Sequence, residues 1–309
     1  MNHKMQWRKL GVVYQPDGSL WWAKSHAAIP TPEVLTENII RIYIYCRDEN
    51  NVGRTGYVDV STNDPREILS IANEPILDVG QPGTFDENGA IVNCIVNIDN
   101  QIKYLYYTGF ELGHQIRYRL LSGLAASKDS GRTFQRIQKT PVLERSGKEL
   151  YFRCASFVRY EDGVFKQWYV AGSDWTQVGE KPLPVYEIRY IESKNGIHWP
   201  DEGVTCIKIE NEDEHGFGRP YVTKVNDLYK MHYSIRRRSV GYRLGYAESQ
   251  DGIRWTRKDD LLGLDVSEQG WDSEAIMYSA VIEVKGNTYM FYNGNDFGGS
   301  GFGLAILDK

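Results

Sequence analysis

Cysteine is scarce in this chain of 309 residues: Cys46, Cys94, Cys154 and Cys206 stand far apart, with no C-x-x-C pair among them. That spacing argues against a zinc or dithiol motif and for buried, reduced thiols without a disulfide. Long apolar runs are missing as well. No stretch approaches the length needed to span a bilayer, and Met1-Asn2-His3-Lys4-Met5-Gln6-Trp7-Arg8 places no apolar segment after its charges. A secretory signal and a membrane partner are therefore not expected, and the chain reads as cytoplasmic. There is no basic block, and 36 Lys+Arg against 41 Asp+Glu leave a net charge of −5, so nothing electrostatic favours nucleic acid. Also absent are a Gly-rich phosphate loop of the Walker or dinucleotide type, a nucleophile elbow and a metalloprotease helix. No cofactor is expected. No segment sustains a 3.6-residue apolar period, which excludes a helical architecture.

What the chain does hold is aromatic residues, 21 Tyr and 8 Trp, and many of them recur at fixed intervals. A short aromatic strand appears five times: Arg41–Tyr45, Tyr104–Tyr107, Gln167–Val170, Tyr229–Tyr233 and Tyr289–Tyr292. Aligned on Tyr45, Tyr107, Val170, Tyr233 and Tyr292, the intervals are 62, 63, 63 and 59 residues, so the repeat fills the chain. Downstream of three of these strands stand Ser127-Lys128-Asp129-Ser130-Gly131, Ser193-Lys194-Asn195-Gly196 and Ser249-Gln250-Asp251-Gly252, each closed a few residues later by Phe134, Trp199 or Trp255. Asp or Asn with Gly supplies the positive φ of a tight hairpin, and the aromatic starts the returning strand.

Units of about sixty residues with about four strands cannot bury both faces alone, and radial packing protects their edges. The expectation is all-β: a five-bladed β-propeller with four-stranded antiparallel blades around a central funnel, forming one domain over residues 1–309. Blade five stops at Gly301–Leu307, one strand short, and Leu10–Tyr14 is placed to supply its fourth strand.

The five repeats, the Asp-box-like turns and the run Lys285-Gly286-Asn287-Thr288-Tyr289-Met290-Phe291-Tyr292-Asn293-Gly294 resemble the five-bladed propeller glycosidase superfamily. That group spans arabinanases, xylosidases, invertases and levansucrases together with mannoside phosphorylases. Gly270-Trp271-Asp272-Ser273-Glu274, followed by the Tyr-Asn-Gly-Asn run, is most similar to uncharacterised members associated with polysaccharide assembly. The resemblance implies a ligand in the funnel, at the heads of the inner strands. It also implies an essential acid in blade one and a Glu at the head of blade three's inner strand. Here those places read Ser25-His26-Ala27-Ala28 and Arg153.

On the propeller expectation the funnel segments are Ser25–Ala28, Phe85–Ala90, Tyr151–Ser156, Glu214–Pro220 and Trp271–Ala275. Glycoside cleavage usually needs two carboxyl groups. Asp86 is the first choice for a base or transition-state-stabilising carboxylate, and Glu274, flanked by Trp271, Ala275, Ile276 and Met277, for a general acid whose pKa burial raises; Asp272 is the third catalytic candidate. Each has a structural alternative, Asp86 as a turn cap with Asn88-Gly89, and Asp272 or Glu274 as a partner of a funnel arginine. Arg47, Arg153, Arg219 and Arg236 are expected to meet an anion, since a guanidinium fork suits carboxylate or phosphate; the alternative pairs each with a neighbouring acid. His26, Asp48, Asp174, Trp175, Glu214, His215 and Asn293 complete the expected sugar-binding set, with Trp175 as a stacking platform and the histidines hydrogen-bonded, not ligating a metal. The expected partner is a small sugar, a glycan or a nucleotide sugar. The functional expectation is a glycoside hydrolase or phosphorylase-like enzyme on an anionic glycan. Its alternatives are an enzyme of surface-polysaccharide biosynthesis using a phosphorylated or nucleotide-activated sugar, and a non-catalytic sugar-binding propeller.

Overall fold

The three Ser-x-Asx turns close as their residues imply. Ser127 Oγ accepts the N–H of Gly131 at 2.8 Å, and Asp129 Oδ1 accepts those of Arg132 and Thr133, both at 3.0 Å. Ser193 and Asn195 serve Gly196, Ile197 and His198 at 3.0 Å each, and Ser249 and Asp251 serve Gly252, Ile253 and Arg254 at 2.8 Å each. The three glycines sit at φ 87, 71 and 75°, where a Cβ would strain the turn. Because side chains satisfy the turn's donors, the chain reverses without leaving buried N–H groups unpaired.

The structure, a computed structural model, describes residues 3–308 apart from the side chain of Ser173. After β1 (Trp7–Tyr14), β2 (Ser25–Val34), β3 (Ile39–Arg47), β4 (Gly53–Ser61) and β5 (Ile68–Ile71) pair antiparallel in chain order. The same order recurs in β6 (Ala90–Asn97), β7 (Lys103–Leu112), β8 (Tyr118–Ser127) and β9 (Gln135–Arg136), then in β10 (Phe152–Glu161), β11 (Val164–Val178), β12 (Lys181–Ser193) and β13 (Val204–Ile207). It recurs again in β14 (Glu214–Val225), β15 (Leu228–Arg237), β16 (Arg243–Ser249) and β17 (Thr256–Arg257). Finally β18 (Met277–Val284), β19 (Asn287–Asn293) and β20 (Phe302–Leu307) take β1 as their fourth strand, with Trp7 opposite Leu307 and Tyr14 opposite Phe302. The N-terminal segment thus fills the place expected of it. The described helical pieces are a 3-10 turn at Asp259–Leu261 and α1, Asn295–Gly298.

The hydrogen bonds do not divide the strands into separate fours. Parallel contacts between β8 and β10 and between β12 and β14 join groups into a 12-stranded sheet. Two compact units result, one of Met1–Pro75, Tyr221–Ile235 and Val240–Lys309, the other of Ile76–Pro220 and Arg236–Ser239. The first unit's core packs Trp22, Ile42, Ile44, Val58, Phe291 and Leu304, and its second cluster holds Tyr246, Ile276, Met290 and Tyr292. Trp22 needs Gly56 beneath it, because a Cβ there would lie 2.1 Å from the indole. In the second unit Phe152, Cys154, Val170 and Tyr186 form one cluster and Leu143, Tyr169, Ala171 and Ile191 another.

Two kinds of contact account for the aromatic second strand of these repeats and for the polar residue next to it. First, a tyrosine hydroxyl donates to a carboxylate, buried except for the half-buried Asp259, that also holds a cation. Tyr107 donates to Asp86 (2.9 Å), paired with Arg136 (2.6 Å), and Tyr169 to Glu149 (2.8 Å), paired with Arg153 (2.5 Å) and Arg189 (3.1 Å). Tyr233 donates to Asp259 (2.6 Å), paired with Arg257 (2.7 Å), and Tyr292 to Asp272 (2.9 Å), paired with Lys9 (2.7 Å). Burial and the adjacent carboxylate push each of these phenols up. Second, the residue after the aligned tyrosine latches the first strand of another repeat at its bulge. Thr108 accepts the N–H of Ala155 (3.0 Å), Ser234 that of Tyr278 (2.9 Å) and Asn293 that of Ile29 (2.8 Å). Ala155, Tyr278 and Ile29 all have positive φ, 51, 55 and 56°, so each latch holds a strained residue in place.

Cys46, Cys94 and Cys154 are buried, and burial pushes the Cys94 thiol up to about 12. Cys206 departs from the expectation: it is half-exposed, because β13 is the outermost strand of its group.

Candidate functional site

The buried triads absorb two of the three expected catalytic carboxylates. Asp86 precedes β6 and accepts Thr84 Oγ1 (2.9 Å), Tyr107 and Arg136, while Asp272 precedes β18 and accepts Lys9 and Tyr292; each is 1% exposed. Glu274 is exposed, whereas its apolar neighbours implied burial. Ala275, Ile276 and Met277 turn inward, while Asn295 Oδ1 accepts the Glu274 N–H (2.8 Å) and Arg243 donates to the Glu274 carbonyl (3.0 Å). This holds the backbone and leaves the carboxyl outward.

Arg153 spends its guanidinium on Glu149, on the carbonyls of Glu144 (2.8 Å) and Pro200 (2.6 Å), and lies over the Tyr169 ring. Asn293 is likewise engaged, donating to Ala27 O (2.7 Å) and Gly301 O (2.8 Å) besides its latch to Ile29. Asp48 caps the β3–β4 turn through Asn50 and Val52 (both 2.9 Å) and pairs with Arg54 (2.5 Å). Glu214 is buried and accepts Glu210 N–H (3.2 Å).

Within the second unit, several expected residues do converge. β11 bulges between Ala171 and Asp174, which sets Trp175 opposite Pro184 of β12. Asp174 points to solvent and accepts only the Trp175 N–H (2.8 Å) among the described contacts. Trp175 touches Tyr118, Tyr151 and Phe152 at 6.4, 6.1 and 5.5 Å, Phe152 meets Tyr186 edge-on at 5.0 Å, and the Arg236 guanidinium lies 4.6 Å over Tyr186. Gly216, at φ 153°, lets β14 approach β12 so closely that a Cβ would sit 2.8 Å from Tyr186 N. That approach brings His215 beside Arg236, which donates to Pro184 O at 3.0 Å. Burial, then the charges of Arg236 and Arg238, lower the His215 pKa to about 4, so the ring is neutral at pH 7. Its buried Nδ1 has no hydrogen-bond partner among the described residues. Arg238 is a clamp, donating to Gln177 O, Glu212 O and Thr176 Oγ1. Arg219 is 2% exposed at φ 37° in β14, its charge near Cys94. An aromatic wall ending in a guanidinium and a neutral imidazole suits a sugar face joined to an anion.

In the first unit, Ser25 pairs with Arg47, and His26 Nδ1 lies 2.9 Å from Ser25 Oγ. His26 is half-buried at φ 58°, and burial plus Arg47 lower its pKa to about 4 against the pull of Asp296. Arg47 donates to Asn51 Oδ1 (3.1 Å) and Tyr45 OH (3.2 Å). Tyr186, Asp296 and Phe297 escaped the sequence reading. Nothing short of the β12–β14 approach marks Tyr186, but Asn295-Asp296-Phe297-Gly298-Gly299 continues the Tyr-Asn-Gly-Asn run, and its glycines mark a tight loop. Among the described residues no group of three or more His, Cys, Asp or Glu converges as a metal site, and no helix is long and apolar enough to cross a membrane.

This strand order is that of the propeller-type fold found among solved glycoside hydrolases. One solved glycoside hydrolase matches 99% of this chain and 92% of its own at TM-score 0.72 with 18% identity. A structure from the GH130 family of mannoside phosphorylases, which contains glycoside hydrolases that target beta-1,2 mannosidic linkages in Candida mannan, matches 98% and 94% at TM-score 0.70 with 13% identity. In sequence, the uncharacterized protein Rv1502 of Mycobacterium tuberculosis is 35% identical over 99% of this chain and 100% of its own length. A 1,2-beta-oligomannan phosphorylase of Thermoanaerobacter sp. is 29% identical over 28% of this chain and 30% of its own. No family model matches. The chain belongs to the family of Rv1502 and shares the fold of the propeller-type glycoside hydrolases.

Proposed function

We propose that this protein is a glycan-cleaving enzyme of hydrolase or phosphorylase type, with phosphate, free or carried on the sugar, as the anion it recognises. The carrying observation is Arg236 stacked on Tyr186 beside the neutral His215, at the end of an aromatic wall that includes Trp175. Phosphorolysis fits the remaining groups best. In it a phosphate oxygen attacks the anomeric carbon, the glycosidic C–O bond breaks, and the leaving oxygen takes a proton, so one carboxylic acid suffices where hydrolysis uses two. With Asp86 and Asp272 engaged inside the protein, a reaction that asks for a single acid is the one the remaining groups favour. The phosphorylase among the relatives supports the same reaction and suggests β-1,2-linked mannosides as substrate. The reading takes the fivefold repeat as five blades.

The test is incubation with β-1,2-mannobiose and inorganic phosphate. Release of mannose 1-phosphate is expected, and free mannose alone points to hydrolysis. Binding without turnover favours the second reading, a non-catalytic sugar-binding propeller, for which the engagement of Asp86 and Asp272 is the supporting observation. Selective binding of a nucleotide sugar instead moves the protein to polysaccharide biosynthesis.

A further inference from the structure

The tip of α1 carries two consecutive residues in a conformation L side chains avoid: Asp296 at φ 54°, ψ 45° and Phe297 at φ 53°, ψ 32°. A left-handed conformation at a non-glycine residue is unfavourable and persists only where its surroundings hold it. The loop is held there from below. Asn295 N–H donates to Trp271 O (2.8 Å), Asn295 Oδ1 accepts Glu274 and Ala275 N–H (2.8 and 3.2 Å), and Ser300 Oγ donates to Trp271 O (2.8 Å). Gly298 sits against β2, where a Cβ would lie 2.8 Å from Ala28 Cβ. All of these bonds are made by the residues flanking the tip, whereas the Asp296 and Phe297 side chains face solvent, Phe297 at 46% exposure. Phe297 meets Tyr242 edge-on at 5.6 Å, and Tyr242 meets Tyr278, itself strained at φ 55°, at 6.0 Å. His26 is close enough to feel the Asp296 charge.

We propose that Asp296 and Phe297, with Tyr242 and Tyr278, form a binding site for an uncharged pyranose ring: the aromatic edge covers its C–H face and the Asp296 carboxylate accepts vicinal hydroxyls. Strain retained under a rigid base, with exposed aromatic and acidic tips, is the signature of a binding loop. An acid at the tip disfavours a phosphorylated group, so this site takes the neutral sugar. The inference rests on the carbohydrate reading.

Saturation-transfer NMR and titration with β-1,2-mannobiose test it on the full chain, using Phe297→Ala, Asp296→Asn and the conservative Phe297→Tyr. Phe297→Ala and Asp296→Asn are expected to weaken binding about tenfold, a 1.4 kcal/mol effect, with Phe297→Tyr close to the unsubstituted protein. All three change only exposed side chains, so the melting temperature reports that the fold is kept. Undiminished binding in Phe297→Ala and Asp296→Asn overturns this site alone. No mannobiose binding by the unsubstituted protein overturns the mannoside reading, and this inference with it.

Discussion

The two units carry the same device in opposite settings. Each has a histidine, His26 half-buried in one and His215 buried in the other, whose pKa burial and neighbouring arginine bring to about 4. Beside His26 the neighbouring charge is an exposed acid, Asp296, on a strained loop; beside His215 it is the buried Arg236, with an aromatic wall behind it. A neutral imidazole donates and accepts hydrogen bonds without choosing a charge, so its surroundings decide which part of a ligand it suits. The acidic setting fits hydroxyls and the basic setting fits phosphate. Each unit also buries one carboxylate that looked catalytic in the sequence, and both are bound to a tyrosine and a cation.

The largest expected effect concerns that shared feature. Asp86→Ala and Asp272→Ala should each destabilise the fold by about 3 kcal/mol, the low end for a broken buried pair, because a buried tyrosine hydroxyl and a cation lose their acceptor while Arg136 and Lys9 both reach solvent. Denaturant unfolding measures this. A variant that keeps native stability while losing turnover returns its carboxylate to a catalytic role.

Next, Arg236→Gln should weaken mannose 1-phosphate binding about tenfold or more, since a charge-assisted bond is worth about 1.5–3 kcal/mol, and leave mannobiose binding nearly unchanged. Equal losses for both ligands would erase the contrast between the two clusters.

A third effect is acid sensitivity. His26, His215 and the fully buried His232, lowered to about 3, stay neutral in the native chain while the unfolded chain charges them near pH 6.5. The unfolded state therefore binds more protons between those values, and stability should fall as pH drops from about 6.5 to about 3–4. Neither ring nitrogen of His232 has a partner among the described residues, so His232→Phe should fold well and flatten that slope in thermal melts. An unchanged slope would assign the acid sensitivity elsewhere.

The smallest effect is at the strained tip. Phe297→Gly should raise stability by about 0.5–1 kcal/mol while removing the aromatic contact, since glycine accepts φ 53° freely. A loss of stability would mean the loop is not strained.

Local chemistry was the legible part of this chain. The Ser-x-Asx turns, the aromatic strands and the N-terminal strand beside β20 arise from short-range signals, namely a hydroxyl, an Asx, a glycine and alternation. The partners of the carboxylates were hidden for the opposite reason. Asp272 meets Lys9 from 263 residues away and Asp86 meets Arg136 from 50, and no local pattern announces either. Arg153 likewise looked aligned with Arg219, but Glu149, four residues earlier, claims it. The segments Phe85–Gly89 and Trp271–Ala275, read as strand heads, lie in turns before β6 and β18. Cys206 looked like its buried counterparts because sequence spacing does not tell an outer strand from an inner one.

The most direct test of the account is calorimetric titration of mannose 1-phosphate into the unsubstituted protein and into Arg236→Gln at pH 7. The account predicts measurable binding that falls about tenfold or more on substitution while the melting temperature of the free protein holds. Binding of equal strength in both proteins, or none in the unsubstituted one, would contradict it.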